Sequence, residues 1–286
     1  MPERSLVFYC YKEDPDAKLN LKFFLKHGIC DSPLVRYVFI INNKECSVVF
    51  PTQDNITVWI REENQYDVIS YKYVLAEFSE DSLKDYNYFF FLNSSCRGPF
   101  IPPYLNYTEK PAHERNLLWL FLFQQMLKTY DLVAPIIEYP FNIIGEEKER
   151  VPFVHSYMFA VNSKGFDTML ETFKNHTGIS AGDGIELERK IGREIILGGG
   201  KVKSLLTRFT HINVTDRTNW TDSLWRPNGG QTCYEIPGNY FGIDVNPYEI
   251  LFVKVIRRSH QYRGEALSGI SETLAKQVQA YTEWLG

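Results

Sequence analysis

Short apolar runs alternate along this chain with longer segments whose apolar residues recur every three or four positions. Residues 5–11, 35–41, 57–60 and 88–92 read as strands. The run YFFFL at 88–92 has the unbroken apolar and aromatic character of a strand covered on both faces. Further strands are expected at 132–137, 153–161, 201–206 and 250–255. Helical spacing predicts helices over 20–27 (closed by Gly28), 66–78, 113–128, 163–174, 184–197 and 265–285. This alternation predicts an α/β fold with a mainly parallel central sheet and helices on both faces. No repeat or linker divides it, so residues 1–286 read as one domain. Residues 207–247, rich in Trp, Asn, Gly and Pro and weak in periodicity, read as a long functional loop.

Composition narrows the class. A hydrophobic fraction of 44% argues against disorder, and 286 residues suffice for a large core. The net charge of −4 does not suggest broad binding to nucleic acid or to an anionic membrane. Five cysteines, with no CxxC pair, fit a reducing compartment and no zinc site. The longest helical apolar run, 117–123, is too short to span a bilayer, and the N-terminal residues lack the pattern of a signal peptide. A cytoplasmic protein without a membrane span is therefore expected. Six N-x-S/T sequons, at Asn55, Asn93, Asn106, Asn175, Asn213 and Asn219, read as compositional.

The first chemical signal lies where the apolar strand stops. Asn93, Ser94 and Ser95 break it, and Arg97-Gly98-Pro99 turns the backbone away. In an open α/β sheet, ligands bind beyond the carboxyl ends of the strands, so a binding site is sought here.

The blocks LVFYCYKED…NLKFFLKHG, YDVISYKYVLAE and YFFFLNSSCRGPFIP, followed by VHSYMFAV, ELERKIGREIILGGGKVKSLL and NPYEILFVKVIR, cover most of the chain. In this order they resemble a family of glycosyltransferases related to the rhamnan-synthesis type. The resemblance implies a GT-A-like fold in which a nucleotide-sugar donor lies across the ends of the first strands. Residues 1–112 then form the donor-binding half, and 113–286 the acceptor and catalytic half. It implies a UDP-sugar such as UDP-xylose as donor and a saccharide on a glycan or glycoprotein as acceptor. Small, anchorless members of this kind are found among large viruses of algae, where they glycosylate capsid protein in the cytosol. A catalytically silent glycan-binding module on the same fold is the alternative.

Donor-binding candidates are Tyr9 and Tyr11 of the first strand, Asp67 at a helix start, Asn93, Ser94 and Ser95. GT-A enzymes usually place Asp-x-Asp where this chain has Asn93-Ser94-Ser95. Amide and hydroxyl groups alone hold hard divalent cations poorly, so a reaction independent of Mn²⁺ or Mg²⁺, or only weakly dependent on it, is expected. Asp14-Pro15-Asp16 spells Asp-x-Asp but reads as helix-start chemistry. Charge on the departing diphosphate would fall to Arg97, Lys254 and Arg257, the last two within a basic run that continues through Arg258, His260 and Arg263.

Inversion at the anomeric centre needs a base. The resemblance favours Glu188, with Asp183, at a helix start, second and His155 third; capping or helix-dipole roles are the competing reading for the acids. Trp220, Trp225 and Tyr240 of the long loop are candidate sugar-stacking residues, with core packing the competing role. Gly178-Ile179-Ser180-Ala181-Gly182 matches a hydrolase nucleophile elbow in spelling only, because a helix, not a strand, is expected before it.

Overall fold

The computed structural model describes residues 3–105, 115–140, 149–225, 238, 240, 242–255, 276–280 and 283. Its centre is a seven-stranded sheet. Strands β1 (Ser5–Lys12), β2 (Val35–Asn42), β3 (Ile56–Ile60) and β4 (Tyr88–Asn93) run parallel in the order β3-β2-β1-β4. A two-residue strand, β5 (Cys96–Arg97), follows β4. Beyond β4 the sheet continues through β9 (Met158–Asn162), β6 (Leu132–Ala134) and β10 (Val202–Ser204). Among these seven, β9 alone is antiparallel to its neighbours.

Both sheet faces are covered, which explains the unbroken apolar runs. Alternate residues go to opposite faces. Leu6, Phe8, Phe89 and Phe91 meet α2 (Asp67–Ala76), α5 (Ser163–Asn175) and α6 (Ala181–Leu197). Val7, Tyr9, Phe90 and Leu92 meet α1 (Pro15–His27) and α4 (Leu118–Leu127). A one-turn helix, α3 (Glu80–Leu83), precedes β4. Each fully buried side chain of this size stabilises the fold by about 1.5–3 kcal/mol.

Several boundaries differ from the sequence expectation for local reasons. Helix α1 starts at Pro15 rather than 20: Asp14 caps it by accepting from Ala17 N at 2.8 Å, and proline at the first turn needs no partner for a missing N–H. The strand expected at 132–137 divides at Pro135 into β6 and β7 (Ile137–Glu138), since proline cannot donate to a ladder. The strand expected at 153–161 divides into β8 (Phe153–Val154), paired with β7, and β9. Between them the Ser156 N–H donates to a side chain instead of a neighbouring strand.

The segment 207–247 is the largest departure. Its described part contains α7 (Asp222–Trp225) and leads into α8 (Pro247–Ile250), and its aromatic residues pack inward. A final strand, β11 (Val253–Lys254), pairs antiparallel with β5, shorter than the strand expected at 250–255. Among the described residues no helix is long and apolar enough to cross a membrane.

Candidate functional site

Because β1, β2 and β4 are parallel, Lys12, Asn42 and Asn93 end them at one edge. β9 enters the sheet at that same edge, with Met158 opposite Leu92, so the preceding Ser156 also arrives there. Helix α2 begins at this edge with Asp67, and α6 packs on α2 and carries Glu188 to it. Residues far apart in sequence thus converge at the carboxyl-terminal edge of a mostly parallel sheet, where open α/β folds bind ligands.

Asp67 and Glu188 form the core of this site. Glu188 is 7% exposed, and its Oε1 accepts from Ser156 N at 2.6 Å. The Ser156 side chain also lies near the Asp67 carboxyl and lowers its pKa, so Ser156 adjoins both acids. Asp67 Oδ1 accepts from Val68 N at 2.8 Å, and Asn93 Nδ2 donates to Oδ2. Burial raises the Asp67 carboxyl above its ordinary range, the neighbouring Glu188 carboxylate raises it further, and the Asn93, Ser156 and Val68 donors pull it back. Burial first, then the Glu188 and Asp67 carboxylates, raises the phenol of Tyr66, the residue before Asp67.

Further hydrogen bonds fix the start of α2. The buried Asn42 donates to Ser70 Oγ at 3.0 Å and to the Gln65 carbonyl at 3.1 Å. The Tyr71 hydroxyl donates to the Leu92 carbonyl, tying α2 to the end of β4.

The polar strand end is divided between two tasks. Asn93 faces Asp67 and accepts from Ser95 N at 2.9 Å and from the Ser95 hydroxyl. Ser94 turns to the other face, where its hydroxyl accepts from Lys12 N at 3.3 Å and its carbonyl accepts from Asn20 Nδ2 at 2.9 Å. Arg97 is 4% exposed; its Nε donates to Asn20 Oδ1 at 2.8 Å and its Nη1 to Gln279 Oε1 at 3.0 Å. It joins α1, β5 and residues 276–280 as a buried tie. Lys254 lies opposite Cys96 across the β5–β11 pair, with Nζ 5.8 Å from the Tyr157 ring centroid.

Other candidates stand elsewhere. Tyr9 is 1% exposed and packs on Phe24 and Phe39, so the donor-contact expectation for it is corrected to a core role. The Tyr11 hydroxyl donates to Glu13 Oε2 at 2.7 Å, and Glu13 in turn accepts from Ser47. Asp183 is the third residue of α6 and completes a capping box with Ser180: Ser180 N donates to its Oδ2 at 2.7 Å, and Asp183 N donates to Ser180 Oγ at 3.2 Å. These bonds hold its carboxyl below the ordinary range. The same box makes Ser180 a helix cap, preceded by α5, not a nucleophile elbow. His155 neighbours Ser156, but its Nε2 pairs with Glu138 Oε2 at 2.7 Å on the small β7–β8 sheet.

Burial corrects two of the three proposed stacking residues, Trp225 and Tyr240, to packing roles. Trp225 is fully buried between Tyr139 and Phe209, with Nε1 donating to the Asn219 carbonyl at 2.8 Å. Tyr240 is 5% exposed and donates to Glu249 Oε1 at 2.6 Å. Trp220 is partly buried, its Nε1 donating to the Val214 carbonyl at 3.0 Å and its ring beneath Arg217. Arg257 and the rest of the basic run through Arg263 lie outside the described residues. Among the described residues no three His, Cys, Asp or Glu side chains gather as a metal site.

Tyr66 and Ser156 are the site residues that sequence reasoning missed. Tyr66 stood beside Asp67 at a helix start, and Ser156 beside His155 in VHSYMFAV; neither belongs to a motif by itself. No family model matches the chain, and no curated protein matches it.

Proposed function

We propose that this chain is a glycosyltransferase of GT-A-like architecture that moves a sugar from a nucleotide diphosphate donor to a saccharide acceptor with inversion. One observation carries the reading: a partly buried Asp67 and a buried Glu188 lie beside each other, each hydrogen-bonded to its own neighbours, beyond the carboxyl ends of β1, β2 and β4. Pairs of acids in unequal environments are a recurring device for acid–base chemistry at neutral pH. The mostly parallel sheet, with one antiparallel strand beside the strand that ends in Asn93, is compatible with that architecture.

In the reaction the acceptor hydroxyl attacks the anomeric carbon. The new C–O bond forms as the bond to the diphosphate oxygen breaks, and that electron pair leaves with the nucleoside diphosphate. The hydroxyl proton passes to Glu188. Asp67 and Asn93 face the donor, and Lys254, opposite Cys96 across the β5–β11 pair, counters charge on the departing diphosphate. The donor is a UDP-sugar, with UDP-xylose and UDP-glucose the leading candidates, and the acceptor is a glycan in the cytosol.

Thermal unfolding with UDP, UDP-xylose or UDP-glucose tests this. A ligand that binds only the native state at a hundred times its Kd adds about 2.7 kcal/mol of stability. A clear rise in Tm with a UDP compound is expected. No shift with any nucleoside diphosphate at millimolar concentration overturns the reading.

A further inference from the structure

Every polar atom of Asn93 is engaged. The residue ends β4 at a position that alternation assigns to the α2 face, after Phe89 and Phe91. Its backbone N–H donates to the Tyr157 carbonyl at 3.1 Å, which ties it to the entry of β9, and its carbonyl accepts from Cys96 Sγ at 3.2 Å. Its amide oxygen accepts twice from Ser95, from the backbone N at 2.9 Å and from Oγ at 2.5 Å. A backbone N–H can donate only to the oxygen of an amide, so Ser95 decides which end of the Asn93 side chain points where. The NH₂ group is thereby turned to Asp67, whose Oδ2 accepts from it, while Val68 N donates to Oδ1 at 2.8 Å.

The glycosyltransferase resemblance leads one to expect a divalent cation at such a strand end, and this donor set does not fit one. Hard cations take oxygen lone pairs. Here an N–H, positive at its outer end, points at the carboxylate oxygen that an ion would need. We propose that Asn93 is the positioning residue of this site: its amide, oriented by Ser95, aims the Asp67 carboxylate at the donor and fills the place a cation would take between the two side chains. The aiming at a donor rests on the glycosyltransferase reading; the exclusion of a cation does not.

The device turns on one functional group. Aspartate at position 93 has nearly the same shape, and its Oδ1 can keep both Ser95 donors, but an oxygen then stands where the NH₂ group stood. Two carboxylates would face each other at hydrogen-bond distance, with Glu188 beside Asp67. Like charges this close are unfavourable unless a proton or a cation lies between them. Clustered carboxylate oxygens suit Mn²⁺ or Mg²⁺.

The test compares wild type with Asn93→Asp, Asn93→Ala and the exchange variant Asp67→Asn/Asn93→Asp. First, Tm is read in EDTA and in millimolar Mn²⁺ without nucleotide, and bound Mn²⁺ is counted by electron paramagnetic resonance. Wild type and Asn93→Ala should each show the same Tm in both media and bind no stoichiometric Mn²⁺. Asn93→Asp should lose several degrees of Tm in EDTA, regain them in Mn²⁺ and bind one ion per chain. The exchange variant again sets one amide against one carboxylate, so it should recover most of that loss in EDTA; two independent sites would instead add their losses. Where Asn93→Asp fails to fold in EDTA, recovery in the exchange variant decides. Second, with a UDP-sugar, Asn93→Ala should raise donor KM about tenfold or more, the worth of a hydrogen bond to a charged group, while kcat changes less. Stoichiometric Mn²⁺ on the wild type, an Asn93→Asp variant indifferent to Mn²⁺, an exchange variant no more stable than Asn93→Asp, or an unchanged donor KM in Asn93→Ala overturns the proposal. Absence of turnover in the wild type with every donor sinks the glycosyltransferase reading instead and leaves the Tm and Mn²⁺ measurements decisive for Asn93.

Discussion

At the scale of single residues, two acids on one helix have opposite fates. Asp183 and Glu188 both belong to α6, five positions apart, and both are candidates for a base by residue type. Five positions are about 7.5 Å along the axis and leave an offset of about 140° around it, so the two carboxylates look in different directions. Asp183 spends its oxygen on Ser180 N at the helix start, while Glu188 faces Asp67 across the α2–α6 contact. Glu188→Gln should therefore cut turnover at least a hundredfold with donor affinity nearly unchanged. Asp183→Asn should leave turnover near normal and lower Tm slightly. Steady-state kinetics with donor titration checks both; a dead but folded Asp183→Asn beside a silent Glu188→Gln would reverse the assignment.

Elements answer differently from residues, because their side chains act through packing. Trp225 closes α7 and is enclosed by Tyr139 and Phe209. Trp225→Ala should cost about 3–5 kcal/mol of stability, measured by denaturant unfolding, and should weaken donor and acceptor steps alike. A selective rise in acceptor KM at unchanged stability would return Trp225 to the binding surface. Helix α1 supplies a pH handle at its last turn. His27 packs against Phe23, with ring centroids 4.6 Å apart, and burial, reinforced by Lys26 and opposed by Glu283, lowers its pKa to about 4 from 6.5. A histidine held neutral in the fold takes up its proton more readily when unfolded. Its contribution is whole above about pH 6.5 and is lost as pH falls toward 4. His27→Gln should flatten the fall of Tm across that window, and an unchanged slope would show that His27 titrates freely in the fold.

For the whole molecule, the decisive contact is the edge where β1, β2, β4 and the entry to β9 meet α2 and α6. Asn93-Ser94-Ser95 offers amide and hydroxyl oxygens there, and these groups already bond Asp67, Lys12, Asn20 and one another. Turnover should therefore survive EDTA in large part. Complete loss in EDTA, restored by Mn²⁺, would make Asp67 and Glu188 the first residues to test as ligands.

The α/β alternation and the strand that stops at Asn93 were legible in the chain because they are local. A strand covered on both faces must be apolar at every position, and a polar break marks its end. Asp67 and Glu188 were legible as acids on particular helices, through a resemblance rather than through spacing. That they form a pair was not legible, since it depends on α6 lying across α2. Ser156 acquires its role only because β9 enters antiparallel beside β4. The aromatic residues of 207–247 went the other way. Without a regular pattern they resembled a ligand surface, yet a segment poor in helix and strand is anchored by burying its large side chains, and Trp225 and Tyr240 do so. Periodicity determines which elements form; which side chains face solvent, a ligand or one another is decided when those elements pack.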